Sequence, residues 1–192
     1  AVETEGTIVG PRLTPRVDAA LQGPRVAAGA VDLRRLTGRI QVDLAEGGDN
    51  RIALRADTGA ISNRPVSAVS LDLIGPQASH RLTLAAVGPE DTVRLAVTGG
   101  LVDRVWSGTV SDAQLRNPRL GDSSLERPAR LTASAERASL TPLCLHADSA
   151  GGRVCAEGRW AAGNVWNAEA TGEQLPVVRL APATFGGFPG GR

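Results

Sequence analysis

Apolar and polar residues alternate along most of this chain. The clearest examples are residues 39–44, 51–56, 67–73 and 92–98, where Val, Ile, Leu or Ala recurs at about every second position. Because successive side chains of a β-strand point to opposite faces, this period predicts strands with one aliphatic face and one face of Arg, Thr, Ser, Asp or Gln. The same pattern continues in residues 81–85, 104–110, 130–134, 143–147, 153–160 and 166–170.

Glycine-rich turn signals separate these segments, for example at residues 47–50, 88–91, 98–100 and 162–164. About ten strands at hairpin spacing predict an antiparallel meander. One short helix is expected at residues 17–22, which precede a Gly-Pro pair. The predicted fold class is therefore all-β, a curled antiparallel meander that forms a trough with an apolar interior.

The composition favours a trough over a two-sheet sandwich. Aromatic residues make up 3% of the chain, whereas Ala, Val, Ile and Leu carry most of its 42% hydrophobic content. Sandwich cores draw on large aromatic side chains, which fill a thick interior. A sheet of thin aliphatic residues that curls on itself would instead leave a continuous apolar channel, and exposed apolar surface of that size marks a binding site.

The only two cysteines, Cys144 and Cys155, are predicted to face each other. They lie at equal distances from a turn at residues 148–151, so a hairpin sets them directly opposite, within bonding range. Both point to the polar face, beside residues such as His146. We interpret them as a disulfide, which indicates an oxidising compartment. A reduced pair, a metal-binding pair and a redox switch are the alternatives.

Three tryptophans, Trp106, Trp160 and Trp166, fall on the predicted apolar face. A three-residue loop at 162–164 would orient Trp160 and Trp166 the same way. Two interpretations stay open for these indoles: packing at an end of the sheet, or contact with a bound ligand.

Nothing in the sequence indicates an enzyme. His80 and His146 are far apart and are interpreted as surface residues, no metal-ligand spacing occurs, and no cofactor is expected. Acidic residues such as Asp43, Asp72 and Glu157 alternate with Arg and are interpreted as members of cross-strand charge pairs. A net charge of +1 without long like-charge runs gives little support for nucleic-acid binding.

We divide the chain into a lead-in at residues 1–29, a β-trough segment at 30–182 and a Gly/Pro-rich tail at 183–192. No apolar run is long enough to span a membrane and no signal peptide is visible. We therefore interpret the chain as a piece of a longer protein.

Several segments resemble the TamB family. They are residues 74–88, the run 93–110, the cysteine hairpin with its flanks at 128–160, and residues 174–180. The resemblance covers roughly residues 30–182. It implies a segment of a periplasmic protein that is anchored in the inner membrane and partners a TamA-like barrel of the outer membrane. The implied fold is a taco-like β-trough, related to AsmA-like proteins and chorein-type lipid bridges.

The resemblance also implies a function. Acyl chains of phospholipids would lie in the trough and move between the two membranes. The side chains predicted to line this groove are Val42, Leu44, Ile52, Leu54, Val69, Leu71, Leu73, Leu82, Leu84, Val93, Leu95, Val97, Trp106, Val110, Leu131, Leu143, Leu145, Val154, Trp160 and Trp166. The alternative is a module that binds unfolded strands of outer-membrane proteins, including autotransporters, by β-augmentation.

An exposed groove would also let the chain self-associate. A structural β-solenoid is a third hypothesis, but the strand spacing varies more than a regular repeat allows.

Overall fold

The computed structural model describes residues 2–12, 14–118, 121–147, 151–163 and 165–174. These residues form fifteen strands and no helix. The strands are β1 (Glu3–Val9), β2 (Arg16–Ala28), β3 (Val31–Asp43), β4 (Asp49–Ala56), β5 (Thr58–Ile61), β6 (Arg64–Val66), β7 (Ala68–Pro76), β8 (His80–Val87), β9 (Thr92–Val102), β10 (Val105–Arg116), β11 (Ser123–Leu125), β12 (Ala129–Ala133), β13 (Arg137–Ala147), β14 (Arg153–Ala161) and β15 (Val165–Glu173).

All fifteen strands belong to one antiparallel sheet. The order is β1-β2-β3-β4-β7-β8-β9-β10-β11-β13-β14-β15, while β12 shares the position of β11 between β10 and β13. At about 4.8 Å between strands, the sheet extends roughly 50 Å from β1 to β15. The predicted all-β antiparallel meander is confirmed.

The short helix expected at residues 17–22 is wrong, because these residues lie in β2. Val17, Ala19 and Leu21 alternate with polar or small residues, and they pair with Val42, Ile40 and Gly38 of β3. The period of two therefore decided the structure. A six-residue helix would have gained one or two hydrogen bonds, whereas the strand is bonded on both sides by β1 and β3.

Two irregularities keep apolar side chains on one face where the sequence loses its alternation. In β10 the register shifts between Val110 and Asp112, and in β13 it shifts between Leu140 and Leu143. Each extra residue is a bulge, after which the next apolar side chain returns to the original face. Pro142 lies in the second bulge, one of the few places in a sheet that tolerate a proline.

A line of distortion crosses three neighbouring strands near β5 and β6. Arg35 in β3 has a φ of +50°, and its partner strand is broken at Asp57, between β4 and β5. The strands beside β4 and β5, which are β7 and β6, are separated from each other in the same way at Ser67. The Arg35 Nε donates a hydrogen bond to Asp57 Oδ2 at 2.9 Å, which ties two of these breaks together.

The buried core lies on the apolar face of β9, β10 and β12. Val97, Val110, Ala113 and Ala129 form it, and Leu82 of β8 and Leu143 of β13 are among the partly buried residues packed against it. A flat single sheet leaves both faces open to solvent, so full burial of Ala129 requires that the sheet curve over it. The curvature therefore brings strands from β8 to β13 around one apolar centre.

Candidate functional site

One face of the sheet carries no Asp, Glu or Arg over most of its width, from residues 17–23 of β2 to β15. Starting from Val17 and Ile40 and following the pairings across the sheet, the positions on this face are apolar, glycine or neutral polar, with His80 at the start of β8. The stretches concerned are residues 17–23 of β2, 36–42 of β3, all of β4 and the strands from β7 onward. The result is a continuous apolar surface without Asp, Glu or Arg.

The register places nineteen of the predicted groove residues on this face. They are Val42, Ile52, Leu54, Val69, Leu71, Leu73, Leu82, Leu84, Val93, Leu95, Val97, Trp106, Val110, Leu131, Leu143, Leu145, Val154, Trp160 and Trp166. Leu44 lies one residue beyond the end of β3, and its backbone N donates to Pro15 O at 3.2 Å. We call this surface the apolar face.

Accessibility differs along the apolar face. Val97 and Val110 are buried in the core, so a ligand reaches them only if the core opens. Toward β15, Val154 and Trp160 are exposed, and the side chain of Trp166 is 67% exposed. The most accessible part of the face is therefore the end formed by β14 and β15.

Several members of the apolar face were missed in the sequence. Leu115, Leu125 and Leu140 share it. Leu115 and Leu140 lie beyond bulges, so simple alternation assigns them to the wrong face. Pro142 was a signal for one of these bulges, whereas nothing in the sequence marks the bulge at Ser111.

Trp106 covers glycines instead of pointing away from the sheet. A Cβ placed on Gly108 or Gly99 would overlap its indole ring, so the ring lies across both residues. Its Nε1–H donates to His80 Nε2 at 2.9 Å, and His80 Nδ1 is 3.2 Å from Gln77 O. His80 is thus a half-buried residue of the apolar face, and its interpretation as a surface histidine is wrong. These bonds require the neutral Nδ1–H tautomer.

The predicted opposition of Cys144 and Cys155 is confirmed. The two are direct partners in the pairing of β13 with β14, and they form a disulfide. Ala147 N donates to Gly152 O at 2.7 Å, which leaves an even loop of four residues, of which 148–150 lie outside the described residues. The bridge lies on the polar face, yet Cys144 is only 1% exposed.

The side chain of Arg153 covers the disulfide. Its Nη2 donates to Cys144 Sγ at 3.4 Å, and its Nε lies 2.8 Å from Glu126 Oε1. This Nε makes no hydrogen bond, so its contact with Glu126 is an ion pair by distance alone. Glu126 is held in place because its backbone N donates to Cys144 O at 3.0 Å.

Cross-strand Arg–Asp pairs stabilise the polar face. The predicted pairing of Asp43 and Asp72 is confirmed, since Asp43 meets Arg16 at 2.6 Å and Asp72 meets Arg55 at 2.9 Å. Arg39 binds Asp18 in the same way at 2.8 Å, and Arg25 binds Asp32 at 2.8 Å near the end of β2, beyond the distortion at Arg35. Each pair joins neighbouring strands, so the pairs reinforce the register.

These pairs shift the pKa values of their carboxyl groups. Hydrogen bonds from Arg39 and then Gln41 lower the pKa of Asp18 below its ordinary 3.8. The hydrogen bond from Arg25 does the same to the pKa of Asp32, while the backbone N of Ala45, followed by Arg16, lowers that of Asp43. All three carboxyl groups stay partly open to solvent, and their arginine partners are exposed, so the contribution of each pair to stability is small.

The pairing expected for Glu157 is wrong. Its partner on β15 is another acid, Glu169. On its other side is the bulge of β13, which leaves no regular partner. No ion pair to Glu157 or Glu169 occurs among the described residues.

In the described part of the chain, no three His, Cys, Asp or Glu side chains are placed to hold a metal ion. No helix long and apolar enough for a membrane span occurs there either.

The fold and the apolar face together define a class: proteins built on one open, single-layered antiparallel β-sheet with a continuous uncharged face. A comparison of the chain with known families identifies its family within this class. It matches the family described as TamB, N-terminal domain, over residues 1–184, and it belongs to the TamB family. The match includes the first thirty residues, for which the sequence motifs had shown no resemblance. Neither curated proteins nor solved structures gave a match.

Proposed function

We propose that this chain is a groove segment of a periplasm-spanning TamB-like protein and that its apolar face carries phospholipid acyl chains between the inner and outer membranes. The observation that supports this most strongly is the absence of Asp, Glu and Arg on the apolar face in residues 17–23 of β2, 36–42 of β3, β4 and the described strands from β7 onward. Within the described residues, no second sheet or helix covers that face.

The chemistry of the face suits acyl chains. Each Å² of apolar surface removed from water contributes about 25 cal/mol, so a hydrocarbon chain along the face is stabilised without any specific polar contact. An isolated carboxylate at the same place would cost several kcal/mol, because the groove removes it from water. Aliphatic side chains without polar groups therefore accept lipids of different length and let them slide.

Membership of the TamB family supports the cellular setting. This family is periplasmic, anchored in the inner membrane and associated with TamA, and a disulfide is consistent with an oxidising compartment. We place this chain in the same compartment and assign a TamA-like barrel as the outer-membrane partner of its parent protein.

Leu84 and Ala85 provide a matched test. Leu84 lies on the apolar face between Leu71 and Leu95, whereas Ala85 lies on the polar face beside Arg94. We expect Leu84→Asp to abolish the phospholipid that co-purifies with the folded chain, as measured by lipid extraction and native mass spectrometry. Ala85→Asp introduces the same charge next to an arginine and should retain the lipid. Equal lipid content in both folded variants would contradict the groove function.

A second function has its own supporting observation, the two open edges of the sheet. Among the described residues, β1 pairs only with β2, and β15 pairs only with β14. An unpaired edge offers backbone N–H and C=O groups to an incoming strand. The module would then hold unfolded strands of outer-membrane β-barrels or autotransporters. Photo-crosslinkers placed in β15 should capture such chains, whereas crosslinkers on the apolar face should capture lipid.

A further inference from the structure

The edge strand β15 lacks most of the features that protect an edge strand from pairing with another strand. It is nine residues long, all of them exposed. Its register with β14 is continuous from Val165 to Glu173, without a bulge. No proline or lysine interrupts it. Edge strands of this length and regularity bind further strands unless their side chains prevent it.

The apolar side of this edge has room for bulky side chains. Trp166 is mostly exposed, and the positions that follow it on the same face are Ala168, Ala170 and Gly172. Elsewhere in the sheet large side chains lie over small residues of the next strand, as Leu54 does over Gly38. An incoming strand with aliphatic residues would cover the indole and the two alanines in the same way.

The polar side of the edge carries acidic residues that form no ion pair within the part of the chain that the structure describes. Glu169 and Glu173 lie on β15, and Glu157 lies opposite Glu169 on β14. Like charges directly opposite each other destabilise a sheet. Arg159 and Arg127 line surface hollows together with Glu157 and Glu169, yet neither forms an ion pair with them. Arg153, the partner of Glu173 in the register, is instead paired with Glu126.

Inside the sheet, several acidic residues meet an arginine on the adjacent strand, as Asp18, Asp43 and Asp72 do. β4 shows the matching pattern: Arg51 and Arg55 are four residues apart, with Ile52 and Leu54 on the apolar face between them. Arg55 pairs with Asp72 across the strand boundary. Glu169 and Glu173 are also four residues apart, so a strand with the pattern of β4 would place one arginine near each.

The charge pattern excludes a second copy of this chain as the occupant. The other edge, β1, carries Glu3 and Glu5 on the same polar face. Pairing β15 with β1 of another molecule, or with another β15, would bring acids together on that face. Like-charge contacts of this kind cost several kcal/mol at an interface.

We infer that the β15 edge binds an extended strand of another polypeptide in which basic residues four positions apart alternate with aliphatic ones. The basic side chains pair with Glu169 and Glu173, and the aliphatic side chains extend the apolar face beyond Trp166. This inference rests on the second function proposed above, the binding of unfolded strands. It adds the position of the site and the sequence pattern that the site selects.

The test uses the 192-residue chain and three labelled nine-residue peptides. The first has Arg at positions 3 and 7 with Val or Leu at the even positions, the second replaces both Arg with Glu, and the third keeps the composition of the first without alternation. We expect the second and third to bind at least about tenfold more weakly by fluorescence anisotropy. Hydrogen exchange should show protection of residues 165–173 on binding of the first.

Charge reversal at the edge provides the matched variants. Glu169→Arg with Glu173→Arg should invert the preference, so that the Glu peptide binds more tightly than the Arg peptide. The control, Glu46→Arg with Asp49→Arg, makes the same change in net charge at exposed positions near the start of β4, away from β15, and should keep the original preference. Neither variant alters the apolar face, so both should retain co-purifying phospholipid.

Three results would overturn the inference. The first is an equal loss of binding of the Arg peptide in both double variants, which would mean that binding follows the net charge of the protein. The second is equal binding of the alternating and permuted peptides. The third is protection of β1 or of the apolar face in place of β15. If no peptide binds at all, strand binding by this chain fails as well, while the lipid result for Leu84→Asp stands independently.

Discussion

Cys144 shows how one side chain depends on several strands. The bridge joins β13 to β14, but its burial comes from Glu126 and Arg153, which approach from the break between β11 and β12 and from β14. The disulfide therefore lies on the polar face, away from the apolar face, and Cys144 is still shielded from solvent. The predicted position was confirmed, whereas its burial could not be read from alternation.

Removal of the disulfide should lower stability without changing the fold. We expect Cys144→Ser with Cys155→Ser to reduce the free energy of unfolding by about 3 kcal/mol, because a bridge across eleven residues constrains the unfolded chain. Urea denaturation with and without reductant measures this. The wild type in reductant should behave as the double variant does. A thiol titration that finds two free thiols in oxidised, denatured protein would contradict the bridge.

The Asp–Arg pairs predict a loss of stability in acid. The folded-state pKa values of Asp18, Asp32 and Asp43 lie below the ordinary 3.8. Their contribution is therefore fully present above that value and is lost as the pH falls through the lower folded-state values. The urea midpoint should fall between pH 5 and pH 2, and Asp18→Asn should reduce the size of that fall. A midpoint that rises with acid would contradict the assignment.

Among the elements, the bulged strands maintain the apolar face. β10 and β13 are eleven residues or longer and are each interrupted once by a bulge. Without the extra residue, Ala113 and Leu115 in β10 would point to the polar face. The bulges also increase local twist, which agrees with the position of the buried core beside them.

The contact of Trp106 with glycine can be tested against a glycine that has no such contact. A methyl group at Gly108 would overlap the indole and Thr98 O, whereas one at Gly158 would make only ordinary contacts. We expect Gly108→Ala to cost about 1–3 kcal/mol in unfolding free energy and to shift Trp106 emission. Gly158→Ala, on the same face, should change neither by a comparable amount. Similar effects of the two substitutions would show that Trp106 is not seated on Gly108.

At the scale of the whole molecule, stability should decrease from the centre of the sheet to its edges. The buried core cluster lies on β9, β10 and β12, whereas β1 and β15 are exposed throughout. Local opening is easiest where few apolar contacts must break. Hydrogen exchange followed by mass spectrometry should show the slowest exchange in β9, β10 and β12 and the fastest in β1 and β15. Equal protection of edge and centre would indicate that the edges are covered in solution.

The open sheet separates the two proposed functions in space. Lipid would occupy the apolar face, while a guest strand would bind at an edge and add to the same face. The two could then operate together, because a strand added at β15 lengthens the surface available to an acyl chain. The variants at Leu84 and at Glu169 with Glu173 test them one at a time.

Alternation of apolar and polar residues by itself determined most of the local structure. It predicted the regular strands, the shared face of the groove residues, the opposed cysteines and the common face of Trp160 and Trp166. A strand has a fixed period of two, and the length of a hairpin loop sets which residues of its two strands share a face. It failed at residues 17–22, where a short polar–apolar run is also compatible with a helix.

The tertiary structure decided what depends on distant strands. The bulges in β10 and β13, the burial of Cys144, the bond between Trp106 and His80 and the lack of ion pairs for the β15 acids among the described residues all follow from which strand lies beside which. Sequence pattern specifies the direction of a side chain within its own strand, whereas its partners and its burial are set by neighbours and by the curvature of the sheet. For this protein the sequence therefore determined the apolar face, and the fold decided which parts of that face are open.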